Sequence, residues 1–298
     1  MKFIGFEPDP EEHARLTAQP QAGFTYFPAA VGGRDERRTL YITRNPAGSS
    51  LLRPNQSLCG RFQGCGPALD VVHEVPIDVV SLDSFLPKSG VPRIDFLDLD
   101  AQGSEMEILQ GAGNFLSGEI VGVKCEVEFS QLYQNQPLFT DIDAYLRNFG
   151  FMLFDLGRTR YRRANFPPRA LTRGQLLWGD AIYLRDHAWL SARSSKPALL
   201  RLCILAAQLQ FHDYALEVLD SLLAGGAGAL TPEEHEGLTA ARRQYIEDLE
   251  KSTRWIDILY GLETIGLRRP IKLIGRLATQ LGDRLRKDRT MTEYNWID

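Results

Sequence analysis

The stretch from Ile94 to Asp155 does most to constrain the fold. Ile94 to Leu99 is an apolar run of strand length that ends in Asp100-Ala101-Gln102-Gly103. Ser104 to Gln110 then has helical composition, with Gly111 placed to cap it. Ile120 to Phe129 is a second apolar run, Asp141 to Asn148 a second helix and Phe151 to Leu156 a third strand. Strands and helices alternating at this spacing predict an α/β fold with a mostly parallel sheet. Ligands of such sheets sit beyond the carboxyl ends of the strands. Asp100 at one strand end, and Glu126 and Glu128 near the next, therefore occupy the expected place of chemistry. Glu126 and Glu128 share a face of their strand, as Asp98 and Asp100 do of theirs. A carboxylate inside an apolar strand costs free energy unless it is paired or functional. The residues alone leave both readings open, a substrate site or a structural network satisfied by backbone and arginine.

Upstream, Lys2 to Phe6, Phe24 to Val31 and Thr39 to Thr43 read as strands, with a helix over Glu11 to Ala18 and a turn at Gly32 to Asp35. Asn45 to Val75 is rich in Gly, Ser, Pro and Asn and reads as a long loop carrying Cys59 and Cys65. His73 alone does not complete a zinc set with them. Val79 to Leu82 and Ala181 to Leu184 are further strands. From about Ala188 the apolar spacing turns helical. Leu199 to Leu209 and Tyr214 to Leu223 form a pair, Gly225-Gly226-Ala227-Gly228 a break, and Thr231-Pro232-Glu233-Glu234 a helix start with N-cap, first-turn proline and capping-box glutamate. Two domains are expected, 1–187 and a helical 188–298.

With 44% hydrophobic and 24% charged residues among 298, the chain has enough apolar material for a substantial core, which excludes disorder. A net charge of -4 gives no footprint for wholesale nucleic-acid binding. The four cysteines include no C-x-x-C pair and no secretory segment opens the chain, so a reducing cytoplasm is the expected location. No uncharged stretch is long enough to cross a bilayer. Between Arg268 and Arg289 eight Lys or Arg stand against Asp283 and Asp288, above a face of Ile274, Leu277, Leu281 and Leu285. Such a basic amphipathic helix packs its leucines on its own domain, or lies on a membrane surface or a protein partner. Arg158, Arg160, Arg162 and Arg163 crowd one loop, which is either solvated or grips a phosphate. The oligomeric state is not legible.

Several ordered motifs resemble the FkbM family of S-adenosylmethionine-dependent methyltransferases. They are the D-x-Q-G-x-E of Asp100, Gln102, Gly103 and Glu105, the Leu109-Gln110-Gly111-Ala112 that follows, the E-x-E strand of Glu126 and Glu128, and the Leu132-Tyr133 and Gln136-Pro137-Leu138-Phe139 pattern. Phe6-Glu7-Pro8 resembles the acidic end of the family's second strand, Ala29 to Gly32 the end of its third, and Gly48-Ser49-Ser50 the loop after it. The resemblance spans roughly residues 1 to 187. It implies a Rossmann-like class I methyltransferase sheet, S-adenosylmethionine as cofactor, and methyl transfer to a hydroxyl of a sugar, glycan or secondary metabolite. It further implies Glu7, Ala30 and Gly103 as cofactor-binding residues, with no metal, and Asp100 and Glu126 as the catalytic pair. Glu105, in the first turn of its helix, is read as a helix-end stabiliser.

Two departures stand out. The family's usual first strand and glycine-rich turn have no counterpart ahead of Met1-Lys2-Phe3. Three arrangements reconcile this: a strand encoded upstream, direct pairing of the two flanking strands, or a strand supplied by a partner. Asp98 stands where the family commonly has lysine, so like-charge repulsion with Asp100 is expected to raise the pKa of one of the two. A second reading of the chain is a catalytically inactive methyltransferase-like module that binds or scaffolds through its helical half. A nucleotide-binding fold of another kind would need a glycine-rich phosphate loop, which the sequence lacks.

Overall fold

A computed structural model describes residues 2–8, 10–18, 21–118, 120–167, 170–193 and 195–264, apart from the side chains of 10, 11 and 252–264. The basic amphipathic stretch between Arg268 and Arg289 lies outside them. The chain begins β1 (Phe3–Phe6), α1 (Pro10–Ala18), β2 (Phe24–Phe27), β3 (Ala30–Val31) and β4 (Glu36–Thr43). A 3-10 turn (Pro46–Gly48), α2 (Gln56–Cys59) and α3 (Cys65–Ala68) lead to β5 (Val71–Val80) and α4 (Leu82–Lys88). Next come β6 (Phe96–Leu99), α5 (Glu105–Gln110), α6 (Gly113–Ser117), β7 (Gly122–Glu128), α7 (Phe139–Arg147), β8 (Phe151–Leu156), β9 (Thr159–Tyr161) and β10 (Gln175–Arg185). Four helices end the described chain: α8 (His187–Ser191), α9 (Lys196–Gln208), α10 (His212–Leu223) and α11 (Pro232–Thr264).

The strands form an α/β structure, but in three sheets rather than one. β6-β7-β10-β8 is the principal sheet, with β9 added on β10; β1 pairs with β2, and β3-β5-β4 is the third. β7 has strands on both sides, and all its residues but Lys124 are buried, as a central strand requires. Its neighbour β6 runs parallel, with Asp98 opposite Lys124 and Leu99 opposite Cys125. Leu97, Leu99, Val123, Cys125 and Val127 share one core with Ile142 and Leu146 of α7, and Ile4 and Phe6 of β1 pack against it.

Among the described residues β1 nevertheless pairs only with β2, and β6 only with β7. Direct pairing of the strands that flank the absent one is therefore not what the chain does. β1 instead makes a parallel register from Phe3 opposite Phe24 to Phe6 opposite Phe27, with the Phe3 and Phe24 rings stacked at 4.4 Å.

The long loop expected over Asn45 to Val75 is corrected too. Its last part belongs to β5, which runs antiparallel to β4 from Thr43 opposite Val71 to Glu36 opposite Val79. Pro76 hides the strand in the sequence. It is tolerated because β3 reaches only Val79 and Val80, so the missing N–H falls on an open edge. Exposed Val72 and Val75 remove the alternation that marks a half-buried strand.

Gly111 joins the third sheet to α5. A Cβ there would lie 2.3 Å from the carbonyl oxygen of Gly32 and 3.2 Å from Gly33 Cα, both backbone atoms that cannot swing aside. Gly111→Ala is expected to cost about 1–3 kcal/mol by overpacking, read as a lower urea midpoint with unchanged slope.

The described residues divide into two compact units, the first ending at Tyr183 and the second starting at Leu184. Within the second, Leu199, Leu202 and Ala206 of α9 and Ala215, Val218 and Leu222 of α10 are buried where the two helices pack together. The capping box forms as read: Glu234 N–H donates to Thr231 Oγ1 at 3.2 Å and Thr231 N–H to Glu234 Oε2 at 2.8 Å. Among the described residues no helix is long and apolar enough to cross a membrane.

Candidate functional site

The turn after β6 organises the site. Gln102 and Gly103 both adopt the left-handed region, with φ of 52° and 99°. For glutamine that conformation is uncommon and must be held by its surroundings. Gln102 Nε2 donates to Asp100 Oδ1 at 2.7 Å and to Glu126 Oε2 at 2.8 Å. Its carbonyl accepts from Ser50 Oγ at 2.7 Å. Tyr133 Oη, buried, lies 3.0 Å from Gln102 Oε1 and 2.9 Å from the Gly48 carbonyl, so one hydroxyl proton is shared between two acceptors. Gly103 has no room for a side chain, since a Cβ would meet Gln136 Nε2 at 2.8 Å.

Glu105 holds the turn from inside. Fully buried, its Oε1 accepts from Ala101 N–H at 2.7 Å and Gly103 N–H at 3.2 Å. Its reading as a helix-end stabiliser is thus sharpened: it fixes the turn that precedes the helix. Burial raises its pKa to about 7, against these hydrogen bonds and with help from the charge of Asp100. Glu126 is pushed well above the usual carboxylate range by burial and then by the charges of Asp100, Glu128 and Glu105. Glu128 is raised in the same direction by burial and then by the charge of Glu105. No lysine, arginine or histidine among the described residues makes an ion pair with Asp100, Glu105, Glu126 or Glu128 (cation–carboxylate pairs form elsewhere). Nor do three His, Cys, Asp or Glu side chains among them converge as a metal ion would need. The result is a buried acidic cluster with one exposed member, Asp100, and no ion-paired cation among the described residues.

The repulsion expected between Asp98 and Asp100 is answered from the next strand. Lys124 Nζ sits 3.0 Å from Asp98 Oδ1 and 3.5 Å from Asp180 Oδ1. Partial burial lowers the Lys124 pKa, and the two carboxylates more than offset this, leaving it raised. The lysine that the family pattern places at position 98 is in effect moved to its cross-strand neighbour. Asp98→Lys alone sets two cations opposite each other and is expected to lower stability by up to ~1 kcal/mol. Asp98→Lys combined with Lys124→Asp should restore most of it, which a double-mutant cycle in urea reads directly.

Of the residues singled out from sequence, Asp100, Glu126 and Gly103 come together around Gln102. Glu7 and Ala30 are placed elsewhere. Glu7 directly follows β1, its N–H donating to the Phe27 carbonyl at 3.0 Å. Ala30 is buried in β3 with Leu40, Leu51 and Val79. The loop after Ala30 is tied to α5, since Gly33 lies against Glu107 and Arg38 forms an ion pair with that glutamate. Gln102, Tyr133 and Ser50 are central to the network and were not chosen as site residues, although the motifs containing them were noticed. Arg163 is engaged structurally, its guanidinium 4.6 Å from the centre of the Phe62 ring.

A sequence profile described as "Methyltransferase FkbM domain" matches residues 2–153, just over half the chain and all of the network above. The chain belongs to the FkbM methyltransferase family. A crystal structure of methyltransferase FkbM from Methylobacillus flagellatus KT is similar at 16% identity and a TM-score of 0.31, over 61% of this chain and 36% of that one. The chain thus spans little more than a third of that relative. No curated protein matches the chain. Within the matched residues the D-x-Q-G-x-E motif has a physical account: its glutamine bridges two carboxylates, its glycine lies against Gln136, and its last glutamate ties the turn.

Proposed function

We propose that this FkbM chain is an S-adenosylmethionine-dependent O-methyltransferase whose acceptor is a hydroxyl of a sugar, glycan or secondary metabolite. The observation that carries the reading is the acidic cluster, without a paired cation among the described residues, at the carboxyl ends of β6 and β7. Its donor set fits a ligand bearing positive charge, because a cation nearby would favour the charged form of Glu126 and Glu128, which burial first and neighbouring carboxylates second now push toward the neutral form. S-adenosylmethionine, when bound, supplies an electrophilic methyl group on a positively charged sulfur.

On this reading Glu7 takes the ribose hydroxyls from the end of β1, the Ala30 loop lies against the adenine, and Gly103 allows close approach of the backbone. β1–β2 and the principal sheet are the two parts of a Rossmann-like class I sheet. Asp100, the exposed carboxylate, is the base that accepts the acceptor's hydroxyl proton. Glu126, buried and favouring its protonated form, orients Gln102 and thereby Asp100. The protein's work is alignment of hydroxyl and methyl together with removal of one proton. Transfer of labelled methyl from S-adenosylmethionine to a panel of sugar and phenolic hydroxyl acceptors tests this. Label in at least one acceptor is expected, and none in any would count against it.

A further inference from the structure

Two cysteines outside the carboxylate site occupy an unusual position. Cys59 is the last residue of α2 and Cys65 the first of α3, and the chain between them doubles back tightly. A Cβ on Gly66 would lie 3.0 Å from Gly60 Cα and 3.6 Å from the Cys59 carbonyl carbon. Both thiols are buried in one cluster with Phe62, Leu132, Tyr133 and Tyr161. Neither is in a disulfide, and Cys59 Sγ donates to the Leu132 carbonyl at 3.5 Å. The other two cysteines lie apart, Cys125 within β7 and Cys203 within α9.

We propose that Cys59 and Cys65 are a reversible oxidation site, joined as a disulfide by hydrogen peroxide. The pair is chemically asymmetric. The neighbouring Cys65 thiol holds Cys59 below the ordinary thiol range against the effect of burial, while Cys59 and burial together push Cys65 up. Cys59 is therefore the attacking thiolate and Cys65 the resolving thiol. The Cys59 thiolate attacks a peroxide oxygen, the O–O bond breaks, hydroxide leaves, and Cys59 becomes a sulfenic acid. The Cys65 sulfur then attacks the Cys59 sulfur, the S–O bond breaks, and water leaves with the Cys65 proton. In sum, two thiols and one peroxide give one disulfide and two waters, the sulfurs losing two electrons. The Leu132 carbonyl loses its thiol donor but keeps the Asn55 N–H at 2.7 Å, so the segment leading to Tyr133 stays anchored.

The test is peroxide treatment of the full folded chain, followed by alkylation, intact mass and non-reducing peptide mapping. The expected result is loss of two hydrogens, two of the four cysteines protected from alkylation, a Cys59–Cys65 cross-linked peptide, and reversal by dithiothreitol. Cys65→Ser should instead accumulate a sulfenic acid on Cys59 that dimedone traps, and Cys59→Ser should give neither product. Four alkylatable thiols in the treated wild type would overturn the proposal, as would a link through Cys125 or Cys203. The wild-type measurement stands even if a variant fails to fold, and none of these results depends on methyltransferase activity.

Discussion

Asp100→Asn is expected to lower methyl transfer about 10²- to 10⁴-fold, the range for loss of a positioned general base. The amide keeps the shape of the carboxylate, and its carbonyl oxygen still accepts from Gln102 Nε2, so the turn should survive. What is lost is a site for the acceptor's proton. Affinity for S-adenosylhomocysteine, which lacks the sulfonium charge, should change little, because the proposed cofactor contacts are made by other residues. The loss therefore falls on kcat rather than on binding. Full turnover in Asp100→Asn would remove Asp100 from the chemistry and leave it as part of the turn's scaffold.

The second large effect concerns pH. Glu105 has a pKa of about 7 in the folded chain against 4.5 for an ordinary glutamate. A carboxyl raised by folding stabilises the protein fully below its unfolded pKa, and that contribution is lost as pH rises through the folded value. From pH 4.5 to above 7 the difference amounts to about 3 kcal/mol. Glu126 and Glu128 act in the same direction. The surface carboxylates Glu12, Asp35 and Glu234 are shifted downward, so their opposite contribution is complete by about pH 5. The wild type should therefore be less stable at pH 8 than at pH 5. In Glu105→Gln the amide oxygen still accepts from Ala101 and Gly103, while the ionisation is gone. Urea unfolding at both pH values should show a smaller difference in the variant, and an unchanged difference would mean that Glu105 does not titrate in this range.

The strand, turn and helix around Asp100 were legible because each carries its own local signal: an apolar run, a glycine that tolerates positive φ, and an acidic first turn. The identity of the acidic strand was legible for the same reason. What holds these pieces together was not. Tyr133 meets Gln102 across 31 positions and Gly48 across 85, and nothing in the local composition of Leu132-Tyr133 announces either contact. Gln102 reads as an ordinary turn residue until its backbone is seen in the left-handed region. β5 was lost to Pro76 and to exposed valines, because strand signals assume a sheet with one buried face. The division into three sheets was hidden as well, since strand–helix alternation reports the order of elements and not whether neighbouring strands close up. Lys124 shows the converse case, in which a departure at Asp98 is compensated by a residue 26 positions away that only register brings opposite.

On the proposed function, S-adenosylmethionine binds between the end of β1 and the acidic turn after β6. Calorimetric titration of S-adenosylmethionine and S-adenosylhomocysteine into the chain, with Glu7→Ala beside it, tests that claim most directly. Binding in the micromolar range that Glu7→Ala weakens at least tenfold, about 1.4 kcal/mol, is the expected result. Absence of binding, or equal binding by the variant, would contradict the placement of the cofactor.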